Sequence, residues 1–329
     1  MEKSPGKSWL RSPLAVVCAV LCVLWLSFSV AEAESAAGDV LQREDVDCRF
    51  NANGRTNAEE GKPVVWENTF IPDGDVFRPL IADPKQPQIF GIMQSTKALE
   101  TKTTSTIGSI AFGENFGLWT RRKQGTCDGI QVGLLTGVFS QFNLFDNTEL
   151  VNTDFVIGIP FSWRTDFFSG RVRLYHQSSH LGDEFLLERP GFTRVDYRFE
   201  EVEGIFSLNT PNGWGRFYFG GGYLVHRQPS NLDRLRAQWG IELRGPEYPA
   251  PWSSSGTLKM VPVLAADFKA FEELQWVVNT NVLAGVEWFR AGATRRLRVL
   301  LNYYYGYNPY GQFFSQKVET VGLGLYLAF

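Results

Sequence analysis

His176 and Ser178 stand two positions apart in the segment RVRLYHQSSHLGDEF, residues 171–185. If this segment is a β-strand, the two side chains share one face, because side chains alternate along a strand. The imidazole can then take the proton of the neighbouring hydroxyl, which is how a histidine base activates a serine nucleophile. The spacing therefore makes Ser178 a candidate nucleophile and His176 its base. Glu188 in the following loop is the candidate acid, with Asp183 in the same loop as the alternative.

Two other interpretations of the same segment remain open. His176, His180, Asp183 and Glu184 carry metal-ligating groups, but a spacing that runs from strand into loop does not fix a ligand set as a helix would. Alternatively, a strand that leaves a bilayer simply becomes polar at headgroup level. Only the position of the segment in the fold can distinguish these three interpretations, a catalytic site, a metal site and a polar rim without either role.

The first 33 residues have the pattern of an export signal. A basic start is followed by an apolar run over residues 14–30 and by AEA at 31–33, where small residues occupy the two positions that a signal peptidase reads. This pattern predicts a cleaved signal peptide over residues 1–33. Cys48 and Cys127 remain in the exported chain, and the sequence leaves open whether they pair.

Composition excludes some classes of function. The formal net charge of −3 is too small to indicate nucleic-acid binding. Aromatic residues make up 14% of the chain and hydrophobic residues 44%, yet no apolar stretch after the signal is long enough for a membrane helix. Helical periodicity is scarce, whereas alternation of apolar and polar residues recurs.

Three stretches show this alternation most clearly. QWVVNTNVLAGVEWFR (275–290), RLRVLLNYYYGY (296–307) and VGLGLYLAF (321–329) each place apolar residues on one face and mainly polar or small residues on the other. The first has a Trp at each end of its apolar face, as the aromatic girdles of a membrane barrel require. The last resembles the closing strand of bacterial outer-membrane barrels, whose terminal Phe, here Phe329, is recognised during assembly. That resemblance implies the barrel-assembly machinery as a partner.

The chain therefore predicts an all-β protein, a transmembrane antiparallel β-barrel of about 12 strands over residues 87–329. Residues 34–86 are polar, rich in turns and proline, and predict an irregular periplasmic or lumen-inserted segment. The predicted strands are 88–97, 104–120, 128–142, 150–165, 170–179, 192–208, 213–226, 236–245, 257–270, 275–290, 295–307 and 317–329.

Inward faces of these predicted strands carry charges of both signs, which predicts a narrow or plugged lumen. The predicted inward set is Arg171, Arg173, Arg194, Asp196, Arg198, Glu200, Glu287, Arg296 and Arg298. On the strand after the His176 segment, the same alternation predicts Thr193, Val195, Tyr197 and Phe199 as outward residues. It therefore predicts no acid or amide on that strand to orient His176.

Three segments together resemble the bacterial domain of unknown function family 1207. They are FRPLIADPKQPQI (77–89), LVNTDFVIGIPFSWR (150–164) and RLYHQSSHLGDEF (173–185). The family consists of exported proteins of uncharacterised activity, and the resemblance covers the chain from about residue 65 to its end. It implies a barrel and export, and it implies no reaction.

The string HQSS at 176–179 is also similar to the HQSN of the outer-membrane phospholipase A family, and lipid A deacylases show a related His-x-Ser on a barrel wall. This similarity implies a lipid-ester hydrolase in the outer membrane of a Gram-negative bacterium, with phospholipid or lipopolysaccharide as the partner. It leaves calcium open as a cofactor. The alternative function is a non-enzymatic barrel, a narrow channel or a structural envelope protein.

Overall fold

The computed structural model describes residues 65–124, 126–145, 149–211, 213–253, 257–290 and 295–328. Fourteen strands form within these ranges, together with the short helix α1 (Asp183–Glu188) and 3-10 turns at Glu272–Leu274 and Gly311–Phe313. The strands are β1 (Trp66–Phe70), β2 (Ile89–Ala98), β3 (Thr104–Lys123), β4 (Gly129–Asn143), β5 (Glu149–Thr165), β6 (Phe168–Leu181), β7 (Tyr197–Asn209), β8 (Gly215–Gln228), β9 (Leu235–Arg244), β10 (Tyr248–Pro249), β11 (Leu258–Phe271), β12 (Val278–Arg290), β13 (Arg296–Tyr307) and β14 (Lys317–Ala328).

Twelve of these strands close into an antiparallel barrel, which confirms the predicted fold class. Each barrel strand pairs with the next along the chain, and β14 pairs with β2 to close the ring. The remaining two strands are additions, since β1 pairs with the end of β3 and β10 pairs with β11. Within the described ranges, no helix is long and apolar enough to cross a membrane.

The two rims of the barrel follow from this antiparallel order. Ile89 and Leu327 pair at one rim, here called the lower rim, where β2 begins and β14 ends. The connections that follow β6, β8 and β13 all lie at the opposite, upper rim. The segment that contains His176 and Ser178 therefore approaches the upper rim.

Alternation on the strands produces an apolar outer wall, as the sequence predicts. On β5, Phe155, Ile157 and Ile159 are exposed while the residues between them are buried. On β14, Leu323 and Leu325 are likewise exposed and Tyr326 is buried in the lumen. Such a belt is stable only where hydrocarbon replaces water around it. Phe329 itself lies outside the described residues.

The lumen is filled by the segment 72–88, which precedes the first barrel strand. Its main chain is held by inward side chains, since Glu242 accepts a hydrogen bond from Ile81 N at 2.8 Å and Asn281 donates to Ala82 O at 2.7 Å. Lys85 forms an ion pair of 2.6 Å with Asp154 on β5. Because this segment is buried and bonded to several strands, it occupies the space that a channel would need.

Inward charges on the wall are neutralised in pairs and triplets. Glu287 lies within 2.6 Å of Arg244, 3.1 Å of Arg296 and 2.6 Å of Arg298. The predicted inward positions of Glu287 and of these last two arginines are thus confirmed, as are those of Arg171 and Arg173.

Four residues of the predicted inward set are misplaced. Arg198 and Glu200 lie on β7 but point outward, and Arg194 and Asp196 are exposed in the connection before β7. The error arose because the charged residues were taken as inward and the aromatic residues as outward. In the structure the aromatic Tyr197 and Phe199 pack in the lumen, which turns Arg198 and Glu200 outward.

Cys127 is disulfide-bonded and lies in the lower-rim turn between β3 and β4. It is the one cysteine within the described residues. Cys48, whose pairing with Cys127 the sequence leaves open, and the predicted signal peptide over residues 1–33 lie outside the described residues.

Candidate functional site

The site is built on the outward face of β6, just below the upper rim. Val172, Leu174, His176 and Ser178 alternate with buried residues and point out of the barrel, as the alternation predicted. Leu174 is 54% exposed, so the face is apolar immediately below the histidine. The polar pair therefore begins where the apolar wall ends.

The neighbouring strand supplies an acid to the histidine. Glu200 lies directly across from His176, and His176 Nδ1 is 2.7 Å from Glu200 Oε1. The prediction that this strand offers no acid was wrong, because its register was inverted. Tyr197 and Phe199, predicted to face outward, point inward instead.

Aromatic packing at the top of the lumen explains the direction of these two residues. Tyr197 stacks on Phe314 from the connection after β13, with ring centroids 5.0 Å apart. Phe199 meets Tyr175 edge to face at 5.9 Å. These aromatic residues near the rim thus close the lumen rather than forming a girdle, and Glu200, which follows Phe199, is turned outward.

The contact with Glu200 fixes the proton arrangement of His176. A carboxylate only accepts hydrogen bonds, so the Nδ1 atom must carry the proton that joins the two groups. The Nε2 atom then has a free lone pair, which is the form that a general base needs. Ser178 follows two residues along the same face, about 6.6 Å further up the strand. Its half-buried hydroxyl forms no hydrogen bond with any residue that the structure describes.

The carboxylate of Glu200 has a second histidine partner on β8. His226 Nδ1 lies 2.7 Å from Glu200 Oε2, so each carboxylate oxygen contacts one imidazole. His226 lies near the upper end of β8. No spacing rule could have found it, because the three residues come from three different strands.

Arg198 brings a positive charge to the same face. It lies directly across from Ser178 on β7, and its side chain is 53% exposed. Its guanidinium pairs with Asp196 at 3.2 Å, which leaves further donors of the same group available to the space beside Ser178. A fixed cation at this position can stabilise negative charge that develops near the serine.

The other predicted site residues are not brought to His176. Glu188 ends helix α1 and lies 3.8 Å from Arg189, whereas the acid that contacts His176 is Glu200. Asp183 and Glu184 are exposed in the first turn of that helix.

His180 continues the outward face of β6 and accepts a hydrogen bond from Arg194 at 3.4 Å. No group of three or more His, Cys, Asp or Glu side chains within the described part of the chain could hold a metal ion. The predicted alternative of a metal site from His176, His180, Asp183 and Glu184 therefore has no geometric support there.

The fold defines a class, a closed transmembrane barrel of the outer-membrane type. Over residues 44–329 the chain matches the family described as a protein of unknown function, DUF1207, and it belongs to that family. No curated protein matches the sequence.

Several solved outer-membrane barrels are similar in fold. Outer membrane phospholipase A from Escherichia coli is 14% identical over 74% of this chain and 93% of its own, with a TM-score of 0.46. The calcium-bound dimer of the Salmonella typhi outer membrane phospholipase is 13% identical over 74% and 93%, with a TM-score of 0.47. LpxR from Salmonella typhimurium is 8% identical over 73% and 100%, with a TM-score of 0.36. These likenesses concern the fold alone.

Proposed function

We propose that this protein is a lipid-ester hydrolase of the outer membrane, with Ser178 as nucleophile, His176 as base and Glu200 as the acid that orients the base. One observation carries the proposal, the 2.7 Å contact of Glu200 with the Nδ1 atom of His176, on the face that also carries Ser178. A serine, a histidine and an acid form a nucleophilic unit whatever the fold that carries them, once the base reaches the hydroxyl. Here the contact between base and acid is formed, and the proposal requires the Ser178 hydroxyl and the His176 ring to approach each other when substrate binds.

The reaction follows from the proton arrangement. Ser178 Oγ attacks the ester carbonyl carbon while His176 Nε2 takes the hydroxyl proton, and Glu200 stabilises the imidazolium that forms. The negative charge on the tetrahedral oxygen develops beside Arg198. His176 then gives its proton to the leaving alcohol, and an acyl-enzyme remains. Water, deprotonated by the same histidine, releases the fatty acid and restores the serine.

The position of the site supports a lipid as substrate. Phe155 and Ile157 lie across from Ser178 and His176 on β5, and both are exposed on the outer wall. An ester group of a membrane lipid lies between its acyl chains and its polar head, at the depth where this wall changes from apolar to polar. A soluble ester would gain nothing from a site that faces away from the lumen.

The orientation of the barrel completes the proposal. The predicted signal peptide implies export, and termini on the inner side of the outer membrane would direct the upper rim towards the cell exterior. The site would then meet the outer leaflet of a Gram-negative outer membrane. The substrate class is phospholipid or the acyl chains of lipopolysaccharide.

Calcium remains a variable of the assay rather than a part of the mechanism. Calcium takes six to eight oxygen ligands, chiefly carboxylates and carbonyls. Of the carboxylates on this face, Glu200 contacts two histidines and Asp196 pairs with Arg198 at 3.2 Å. These residues do not fit a calcium site, and no step is assigned to the ion.

The decisive experiment compares two adjacent serines. Refolded protein in detergent–lipid micelles is assayed for release of fatty acid from phospholipid and from lipopolysaccharide, with and without calcium. We expect Ser178→Ala to lower turnover by ~10³-fold or more, as removal of a nucleophile does elsewhere. Ser179→Ala is the matched control because Ser179 faces the lumen and is 3% exposed.

Two results would contradict the proposal, the first for the activity and the second for the nucleophile. Absence of fatty-acid release by the wild type from both substrates would favour the alternative, a non-enzymatic structural barrel. Equal activity of Ser178→Ala and wild type would show that another group acts as nucleophile. Heat-modifiable migration of each variant on gels reports whether the barrel has formed.

A further inference from the structure

His226 reaches Glu200 because β8 contains a bulge. Inward positions on β8 run through Tyr218 to Leu224, so strict alternation would turn residue 226 into the lumen as well. The pairing of β7 with β8 shifts between Glu200 and Glu201, which leaves Val225 without an opposite residue and sets His226 across from Glu200. A bulge of this kind re-aims one side chain, and bulges are enriched beside active sites.

The bulge places one carboxylate between two imidazoles. His176 and His226 each approach Glu200 through Nδ1 at 2.7 Å, one at each oxygen. Both rings must therefore carry the proton on Nδ1 when they are neutral. With both oxygens engaged, the plane of the carboxylate is fixed by contacts on opposite sides.

We propose that His226 is a positioning residue of the Ser178–His176–Glu200 site. By binding the second oxygen of Glu200, it holds the carboxylate in the orientation that fixes the His176 ring. This inference rests on the proposed hydrolase, but the contact of Glu200 with both histidines can be measured independently of activity, from the tautomers of the two rings.

The surroundings of Glu200 explain why it needs holding. Glu200 is 38% exposed on the outer wall, where a glutamate side chain has several rotamers open to it. Arg198 lies two residues away on the same face of the strand, and its positive charge attracts the carboxylate away from His176. Arg234 binds the carbonyls of Leu224 and Val225 at 2.6 and 3.0 Å, which fixes the bulge and therefore the place of His226.

The first measurement is the tautomer of each histidine. The chain has three histidines, so protein labelled with ¹⁵N-histidine gives three sets of imidazole signals in detergent micelles. We expect His176 and His226 to show the Nδ1–H form at a pH where the rings are neutral. His180 is the internal control, since Arg194 donates to its Nδ1 atom and so leaves the proton on Nε2. Glu200→Gln should release His176 and His226 together and leave His180 unchanged.

The second measurement separates the hydrogen bond from the bulk of the ring. His226→Leu removes the donor, whereas His226→Asn keeps an amide N–H near the position of Nδ1. We expect the leucine variant to lose about tenfold in kcat with KM within about twofold, because substrate contacts are unchanged. The asparagine variant should retain most of the turnover. The His176 signals should lose the pure Nδ1–H form in the leucine variant alone.

Each outcome decides one of the two proposals. A leucine variant with wild-type kcat and unchanged His176 signals overturns the positioning role. Equal losses of kcat in both variants, with unchanged His176 signals, also overturn it, because they indicate damage to the bulge. If His176 and His226 of the wild type both show the Nδ1–H form but the protein hydrolyses neither lipid, the hydrolase is rejected. The contact of Glu200 with both histidines is then still supported.

Discussion

Glu200 and Glu203 lie three residues apart on β7 and face opposite sides of the wall. Glu203 is fully buried in the lumen, where it pairs with Arg171 at 2.9 Å, Arg173 at 2.6 Å and Arg236 at 2.8 Å. Glu200 is partly exposed on the outer face, and both of its partners are histidines at 2.7 Å. One strand therefore carries two carboxylates that differ in the chemistry of their partners.

The partners decide what each carboxylate can do. Guanidinium groups remain charged and do not exchange protons at physiological pH, so the ion pairs of Glu203 hold neighbouring strands together. Imidazoles exchange protons near neutral pH, so a carboxylate that orients one of them can support proton transfer. If the proposed hydrolase is correct, a barrel wall one residue thick separates a structural network from a reactive one.

The largest effect that we expect is a loss of turnover in the Glu200→Gln variant. Glu200→Gln replaces an acceptor with an amide that can donate to His176 and favour the wrong tautomer. We expect kcat to fall by ~10³–10⁴-fold, a loss similar to that seen when the acid of a serine triad is amidated. Fatty-acid release by refolded protein measures it. Glu203→Gln should keep more turnover than Glu200→Gln once correctly folded barrels are compared, and the reverse order would contradict the assignment.

The next largest effect that we expect is a loss of stability in the Glu203→Gln variant. Glu203→Gln leaves three buried guanidinium groups with less negative charge, and we expect the free energy of unfolding to drop by about 3–5 kcal/mol. Reversible urea unfolding in lipid vesicles measures it. Glu200→Gln is the matched control and should change stability by less than about 1 kcal/mol, because its ion pairs are exposed. Equal losses in the two variants would mean that the outer site is structural.

The sequence predicted the strands well because a membrane barrel repeats one simple rule. Residues on β14 alternate without interruption from Val321 to Leu327, and each outward position there is apolar. The interior of this barrel follows no such rule. Tyr175, Tyr197 and Phe199 all face inward, because residues 72–88 and the upper connections give the lumen an apolar upper part.

Glu200 was missed as the partner of His176 because the two faces of β7 were assigned the wrong way round. Once Tyr197 and Phe199 were taken as outward, Glu200 was placed in the lumen and the histidine had no partner. His226 was beyond prediction for a different reason, since a single unpaired residue, Val225, reverses its direction. Both errors concern registers set by tertiary packing rather than by local residue pattern. The pair His176 and Ser178 was predictable because β6 alternates without a break.

The smallest effects that we expect come from two adjacent serines, Ser178 on the outer face of the wall and Ser179 on the lumen face. Ser179 Oγ lies 2.5 Å from Asp154 Oδ1 and 3.1 Å from Asn152 Oδ1, inside the network that also holds Lys85. Ser179→Ala removes a hydrogen bond to a buried carboxylate, and we expect a loss of about 1–2 kcal/mol in the free energy of unfolding. Turnover should stay within about twofold of wild type, because the lumen network does not contact His176. Ser178→Ala should give the opposite result, with stability unchanged and turnover lost. If one of the two substitutions lowered both the free energy of unfolding and the turnover, the barrel wall would not separate the lumen network from the outer site.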